Sequence, residues 1–144
     1  MKKLFIALLI GIGIYAYVQS NPAVISSFTS KSVQNNQVIT DAYQNRLSDI
    51  QVSGSGKVSL ILRDDNEGSR HQRFILRLSS GQTLLIAHNI DLAPKINTLQ
   101  KGDVVQFYGE YEWNSKGGVV HWTHHDLGGR HVGGWLKHDG RKYE

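Results

Sequence analysis

Histidines are concentrated near the C-terminus of this 144-residue chain, where five of the seven fall between residues 121 and 138. Neutral imidazoles and a carboxylate are common ligands of Zn²⁺, and imidazole also suits Cu²⁺. Two glycines at 128 and 129 would let the chain turn back sharply after Asp126. The sequence therefore predicts a site for Zn²⁺ or Cu²⁺ with the ligands His124, His125, Asp126 and His131.

The same segment suggests hydrolysis of phosphodiesters. A bound metal lowers the pKa of its water to about 7 and so supplies a nucleophile, and Arg130 could stabilise charge on a phosphoryl oxygen. Without a metal, two imidazoles can act as general acid and base. The predicted catalytic residues are His124, His125, Asp126, Arg130 and His131. Two alternatives stay open, namely a metal site without catalysis and a polar rim that bonds the carbonyls of a glycine-rich turn.

A second candidate site lies on the strand predicted at residues 70–78. Alternation turns Phe74 inward and His71, Arg73 and Arg77 outward. Such a face can contact the phosphates of an anionic ligand or a nucleic acid. The alternative is a solvated surface, because no aromatic stripe is present and the acidic turn before the strand would repel a polyanion unless a cation intervenes. The predicted ligand-binding residues are His71, Arg73, Arg77, His88 and His121.

Three of the side chains near these sites have ambiguous roles. His88, at the end of the third strand, could join the histidine cluster or cap the following helix through local hydrogen bonds. Glu110 and Glu112 alternate outward on the fourth strand and are typical of solvated surface. Glu110 could also serve as the carboxylate partner of a nearby histidine.

The elements that must position these residues follow from hydrophobic periodicity. Helical spacing predicts an amphipathic helix over 37–49, ended by the glycines at 54 and 56. Pro94 follows a cap-like aspartate and predicts a short helix over 91–99. A period of two predicts strands at 57–62, 70–78, 82–88, 104–113 and 119–125. In the first of these, Val58, Leu60 and Leu62 should share one face.

This order of elements predicts an all-β fold, a five-stranded OB-fold-like barrel with a short N-terminal helix and a helix between strands three and four. The Asp139-Gly140 pair adds a C-terminal hairpin tail. Continued alternation along the fifth strand would turn Val120 and Trp122 inward and Thr123 and His125 outward. The usual ligand face of such a barrel is strands two and three with the loops that flank them.

The N-terminus predicts export. Lys2 and Lys3 precede an apolar run over 4–18, which indicates a signal peptide or an uncleaved inner-membrane anchor at residues 1–20. Residues 21–37 are rich in Ser, Asn and Gln and predict a flexible linker before a domain at 38–144. The expected location is the periplasm or the exterior.

The net charge and the absence of cysteine exclude some classes of binding partner. Two of the 16 basic residues lie in the N-terminal segment, so the rest of the chain has a net charge of only +2 against its 12 acidic residues. A globally basic nucleic-acid binder is thereby excluded, whereas a local basic patch is not. The chain has no cysteine, which excludes a disulfide-linked partner, a thiolate metal site and a lipoprotein anchor.

Four long strings carry a family resemblance: GSRHQRFILRL, GQTLLIAHNIDLAP, GDVVQFYGEYEWN and HWTHHDLGGRHVGGWLKHDG. Over roughly residues 40–144, the chain resembles the bacterial family labelled domain of unknown function 3465. The resemblance implies a small exported protein and brings no assigned activity. The residues themselves favour a binding module for an anionic or oligomeric ligand. The alternatives are a metal- or histidine-dependent phosphodiester hydrolase and a Zn²⁺ or Cu²⁺ protein without catalysis.

Overall fold

The computed structural model describes residues 35–144. The signal peptide or anchor predicted at 1–20 lies outside these residues, as does nearly all of the linker predicted at 21–37. Within the described part, no helix has the length and apolar character needed to cross a membrane. Both candidate sites lie within the described residues.

The first elements form earlier in the chain than predicted. Helix α1 covers residues 35–44, so it begins within the predicted linker and is shorter than the predicted 37–49. Strand β1 follows at Ile50–Ile61. The two glycines at 54 and 56, predicted to end the helix, lie inside this strand.

Close packing explains the glycine at position 54. A Cβ at Gly54 would lie 2.6 Å from Phe107 Cζ and 2.8 Å from Asn36 Oδ1. Only glycine lets α1 and the barrel interior approach the strand so closely. The buried Asn36 amide then bonds both the N–H and the carbonyl of Ser55, which fixes α1 against β1.

Five strands close into a barrel. The remaining four are β2 (His71–Arg77), β3 (Thr83–Asn89), β4 (Val104–Glu112) and β5 (Val119–His121). The long strand β1 pairs with β4 over its first part and with β2 over its last part. β2 pairs antiparallel with β3, β3 parallel with β5, and β5 antiparallel with β4. This closure confirms the predicted all-β, five-stranded OB-like barrel.

Alternation fills the barrel with apolar side chains. The fully buried members from β2 to β5 include Phe74, Leu76, Leu84, Ile86, Phe107, Tyr111 and Val120. The single face predicted for Val58, Leu60 and Leu62 is wrong beyond Val58. A register shift between Val58 and Leu60 leaves Leu60 52% exposed, because a bulge reverses the alternation.

The helix predicted at 91–99 between strands three and four is absent, and turns take its place. The buried side chain of Gln72 explains the difference. Its amide N–H₂ donates to the carbonyl of Ile96, and its oxygen accepts the N–H of the same residue. The backbone groups that a helix would pair within itself are thus held by β2.

Strand β5 ends at His121, earlier than the predicted residue 125. Trp122 has φ 54°, a left-handed conformation that ends strand geometry. The phase predicted beyond this point is therefore wrong. Thr123, predicted outward, is fully buried.

The predicted C-terminal hairpin is confirmed. Strands β6 (Trp135–His138) and β7 (Arg141–Tyr143) pair antiparallel, and β6 adds to the edge of β4. Asp139 and Gly140 both have positive φ, as a two-residue turn of this kind requires.

Candidate functional site

An open cavity of about 260 Å³ lies on the outer face of the barrel. Strand pairing positions its walls: Arg73 on β2 lies opposite Ala87 on β3, and Glu112 on β4 lies opposite Val119 on β5. The small side chains of Ala87 and Val119 leave space between a basic flank and an acidic flank. The cavity is lined by Asp65, His71, Arg73, Ala87, Glu112, Val119 and His121.

The acidic flank brings together Glu110, Glu112 and His121. Glu110 and His121 are direct partners across β4 and β5, and Glu112 is the next outward residue on β4. His121 Nε2 lies 3.3 Å from Glu110 Oε1 and 3.7 Å from Glu112 Oε1. Neither contact has the geometry of a hydrogen bond, so this buried ring nitrogen has no hydrogen-bond partner among the described residues. One ligand atom from each residue lies within 4.8 Å of the others, a spacing that could hold a metal ion.

His131 reaches this flank from the loop between β5 and β6. Its Nε2–H donates to Glu110 Oε2 at 2.5 Å, and its Nδ1–H donates to the carbonyl of Val132 at 2.8 Å. Burial opposes a charged ring, but the two hydrogen bonds and the Glu110 carboxylate together raise the pKa of His131. The ring also stacks on Trp122, with centroids 3.9 Å apart and planes 10° apart. The loop is thereby fixed to β4 through Glu110.

Asp49 adds a third carboxyl to the acidic flank. Its hydrogen bond to the Glu112 carboxyl, together with the charge of Glu112, raises the pKa of Asp49. The Asp49 backbone has φ 58°, which is uncommon for a residue other than glycine. The flank therefore concentrates more negative charge than His131 alone balances.

The basic flank is formed by Arg73 and His71. Arg73 donates from Nε and Nη2 to the carbonyl of Arg63, which fixes the guanidinium, and it has no carboxylate partner among residues 35–144. By contrast, Arg70 pairs with Asp91 at 2.7 Å. His71 donates from Nδ1 to the carbonyl of Ser69, so Nε2 of the neutral ring keeps its lone pair.

The structure does not bring together the four predicted metal ligands. His124 is buried and donates from Nδ1 to the carbonyl of His125. The His125 side chain is 64% exposed and lies 3.4 Å from Glu144. Of the predicted set, His131 alone joins the acidic flank, through Glu110.

Asp126 and Arg130, also predicted to be catalytic, meet in this loop through the backbone N–H of Arg130. The Asp126 carboxylate accepts the N–H groups of Gly128, Arg130 and His131 at 2.7–2.9 Å. These hydrogen bonds lower the pKa of Asp126. The physical reason for the difference is the early end of β5, because Trp122 turns the chain away before the predicted ligands can face one cavity.

The predicted ligand-binding residues divide into two groups. His71, Arg73 and His121 line the cavity. Arg77 lies near the other end of β2 and donates to the carbonyl of Gly81. His88 is fully buried, so it has no surface on which to meet a ligand.

His88 instead joins three parts of the fold. Its Nε2–H donates to the carbonyl of Pro94, and its Nδ1 accepts from the hydroxyl of Thr123 at 2.8 Å. Burial lowers the pKa of His88 to about 4, so the ring is neutral. No helix follows at residues 91–99 for His88 to cap, but its hydrogen bond to Pro94 is local, as the capping alternative expected.

Sequence reasoning missed Glu112 and Asp49 as members of the site. The signal for Glu112 in the sequence was the alternation that turns Glu110 and Glu112 outward on β4, because β4 and β5 are neighbours in an OB-like barrel. What the sequence did not contain was the register that places Glu110 opposite His121. The structure gives Glu110 the histidine neighbours that were considered for it.

Comparison with known proteins gives one family and no activity. No curated protein matches the chain. A family model matches residues 23–144, which is most of the sequence. The chain belongs to the family described as protein of unknown function (DUF3465).

Proposed function

We propose that this protein is a binding module for a small anionic ligand carrying a phosphate group, held in the cavity on the outer barrel face. The observation that carries the proposal is Arg73. Its guanidinium is held in place by the carbonyl of Arg63, lines the cavity and has no carboxylate partner among the described residues. Arginine presents a fork of donors that matches phosphate oxygens, and such charge-assisted hydrogen bonds are strong.

The size and charge of the cavity support a small ligand over a polymer. Its volume of about 260 Å³ is below that of most sites for drug-sized molecules. Asp65 and Glu112 line it beside Arg73, so a nucleic-acid strand crossing the face would meet carboxylates as well as one fixed cation. Outside the cavity, the charge of Lys95 is paired with Asp64, so this lysine adds no unpaired positive charge for a polymer.

Binding is favoured over hydrolysis because the predicted catalytic residues make separate contacts in the described part of the chain. Asp126 serves the loop backbone, and His125 faces solvent. Recognition on the β2–β3 face needs only what OB-like barrels generally offer, a curved surface flanked by loops. The expected export of the protein, from the pattern in residues 1–20, is part of this proposal and would place the ligand in the cell envelope.

The test is calorimetric titration of inorganic phosphate, with and without added divalent salt, into the 144-residue protein and two variants. Arg73→Ala should weaken phosphate binding by about 10- to 100-fold, since a hydrogen bond to a charged group contributes roughly 1.5–3 kcal/mol. Arg77→Ala is the matched control, because Arg77 lies on the same strand face but outside the cavity. Its affinity should equal that of the wild type.

Two results would overturn the proposal: no phosphate binding by the wild type under either condition, or equal affinities in Arg73→Ala and Arg77→Ala. An oligothymidylate of a few nucleotides serves as a second probe. If it binds much more tightly than phosphate and its affinity falls steeply with salt, the ligand is a polymer and the small-ligand assignment is wrong.

A further inference from the structure

We propose that Glu110, Glu112 and His121 form a binding site for one divalent cation of the Zn²⁺ class on the acidic flank of the cavity. The inference rests on the proposed function, because the cation would lie where the anionic ligand binds. It differs from the metal site predicted from the histidine-rich segment, with which it shares no ligand. No residue has to cross the barrel wall, since all three side chains already lie on its outer face.

The distances between ligand atoms fit a cation. In a tetrahedral zinc site with bonds of about 2.1 Å, neighbouring ligand atoms are about 3.4 Å apart. His121 Nε2 lies 3.3 Å from Glu110 Oε1 and 3.7 Å from Glu112 Oε1, close to that spacing. The three ligand atoms all lie within 4.8 Å of one another, so small rotations of the carboxylates would complete the set.

The His121 ring nitrogen supplies an independent reason. Nε2 is buried, and no described residue forms a hydrogen bond with it. A buried polar atom without a partner is unfavourable, so such an atom needs an explanation in a native fold. A cation between the imidazole and the two carboxylates would use its lone pair.

The residues around the three proposed ligands also fit a bound cation. His131 donates to Glu110 Oε2, which leaves Oε1 for the cation and orients the carboxylate as outer-shell partners of metal ligands do. The third carboxyl, Asp49, contacts Glu112, so that two acidic groups repel one another at this flank. A divalent charge would relieve this repulsion.

A cation at this position has a consequence for the anion. Three protein ligands leave an open coordination position, as in many zinc sites that exchange ligands. A phosphate in the cavity could then contact the cation on one flank and Arg73 on the other. Because coupling between two ligands is reciprocal, Zn²⁺ should tighten phosphate binding and phosphate should tighten Zn²⁺ binding by the same factor.

The experiment titrates Zn²⁺ alone, without phosphate, into the chelator-treated 144-residue protein and three variants. The wild type should bind one Zn²⁺ per chain. Glu112→Gln removes a charge with little change of shape, and His121→Ala removes the ring, so each should weaken binding more than tenfold. His125→Ala is the matched control, because this exposed histidine belongs to the set predicted from sequence and lies outside the proposed site. It should bind like the wild type.

Three outcomes would overturn the inference: no stoichiometric Zn²⁺ in the wild type, unchanged affinity in both site variants, or loss of affinity in His125→Ala alone. Urea unfolding of each metal-free variant separates a lost ligand from a lost fold. The phosphate titration with and without Zn²⁺ then distinguishes the two proposals. Phosphate binding without Zn²⁺ binding removes only the cation site, whereas Zn²⁺ binding without phosphate binding removes only the anion-binding function.

Discussion

His88 and His121 belong to neighbouring strands, β3 and β5, but lie on opposite faces of the barrel wall. His88 is fully buried, and both ring nitrogens have hydrogen-bond partners, the hydroxyl of Thr123 and the carbonyl of Pro94. His121 faces the outer cavity beside two carboxylates, and its buried Nε2 lacks a hydrogen-bond partner in the described part of the chain. A histidine on the inner face thus stabilises the fold, whereas a histidine on the outer face remains available for a ligand.

The contrast shows that the density of histidines in the sequence is a poor guide to a site. Of the five C-terminal histidines, His124 and His138 are buried. His124 donates to the carbonyl of His125, and His138 donates from Nε2 to Asp103 while its Nδ1 has no partner among the described residues. A ring nitrogen without a partner indicates a ligand only where other ligand atoms lie beside it, as those of Glu110 and Glu112 do beside His121. Predictions that separate the inner histidines from the outer ones therefore test the structure most directly.

The largest expected effect is the loss of the inner histidine. His88→Leu would leave the hydroxyl of Thr123 and the carbonyl of Pro94 buried without partners, so we expect the free energy of unfolding to fall by about 2–4 kcal/mol. His121→Ala in metal-free buffer should change it by less than about 0.5 kcal/mol. Urea unfolding followed by circular dichroism gives both values. Similar losses in the two variants would break the comparison.

The next effect is a dependence of stability on pH. Burial lowers the pKa of His88 to about 4, while the unfolded chain has an ordinary histidine near 6.5. The unfolded state therefore binds a proton first as pH falls, and stability is lost between about pH 6.5 and pH 4, by up to roughly 3 kcal/mol. His88→Gln keeps an N–H for Pro94 but does not titrate, so its unfolding free energy should fall less between about pH 7 and pH 5. Parallel losses in the wild type and the variant would mean that other groups cause the acid sensitivity.

Sequence alternation predicted much of the arrangement that produces this contrast. It gave the barrel, the inward faces of β2 to β4 and the outward positions of His71 and Arg73, because those strands keep a strict period of two. It failed where the backbone leaves that period. The bulge after Val58 and the left-handed Trp122 each reverse the faces of the residues that follow, and nothing in the pattern of apolar residues signals either.

The candidate site was predicted less completely for a related reason. His71, Arg73 and His121 could be placed on the outer face from strand alternation alone. Their meeting with Glu112 depends on the register of β4 against β5, and the contact of His131 with Glu110 depends on the path of a loop. Both are set by three-dimensional packing, so residue types and spacing placed three members of the cluster on the outer face but could not give their contacts.

A smaller loss of stability is expected at Asp126, in the loop between β5 and β6. It compares a residue that stabilises this loop with His88, which stabilises the barrel. Asp126→Ala removes the acceptor of three backbone N–H groups, and we expect a loss of stability of about 1 kcal/mol, the usual effect of losing a side-chain cap. The amides of Gly128, Arg130 and His131 should exchange with deuterium faster than in the wild type, while the barrel core stays protected. Unchanged exchange at these three amides would contradict the structural role.

The smallest effect is expected at His125, the most exposed of the predicted metal ligands. Its side chain is 64% exposed, and its one charged neighbour among residues 35–144 is Glu144 at 3.4 Å. Exposed pairs of this kind contribute little, because solvent screens them and two mobile side chains must be ordered, so His125→Ala should change the free energy of unfolding by at most about 0.5 kcal/mol. Urea unfolding beside His88→Leu measures the difference. A loss at His125 comparable with that at His88 would mean that the histidine-rich loop, rather than the inner wall of the barrel, holds this end of the fold together.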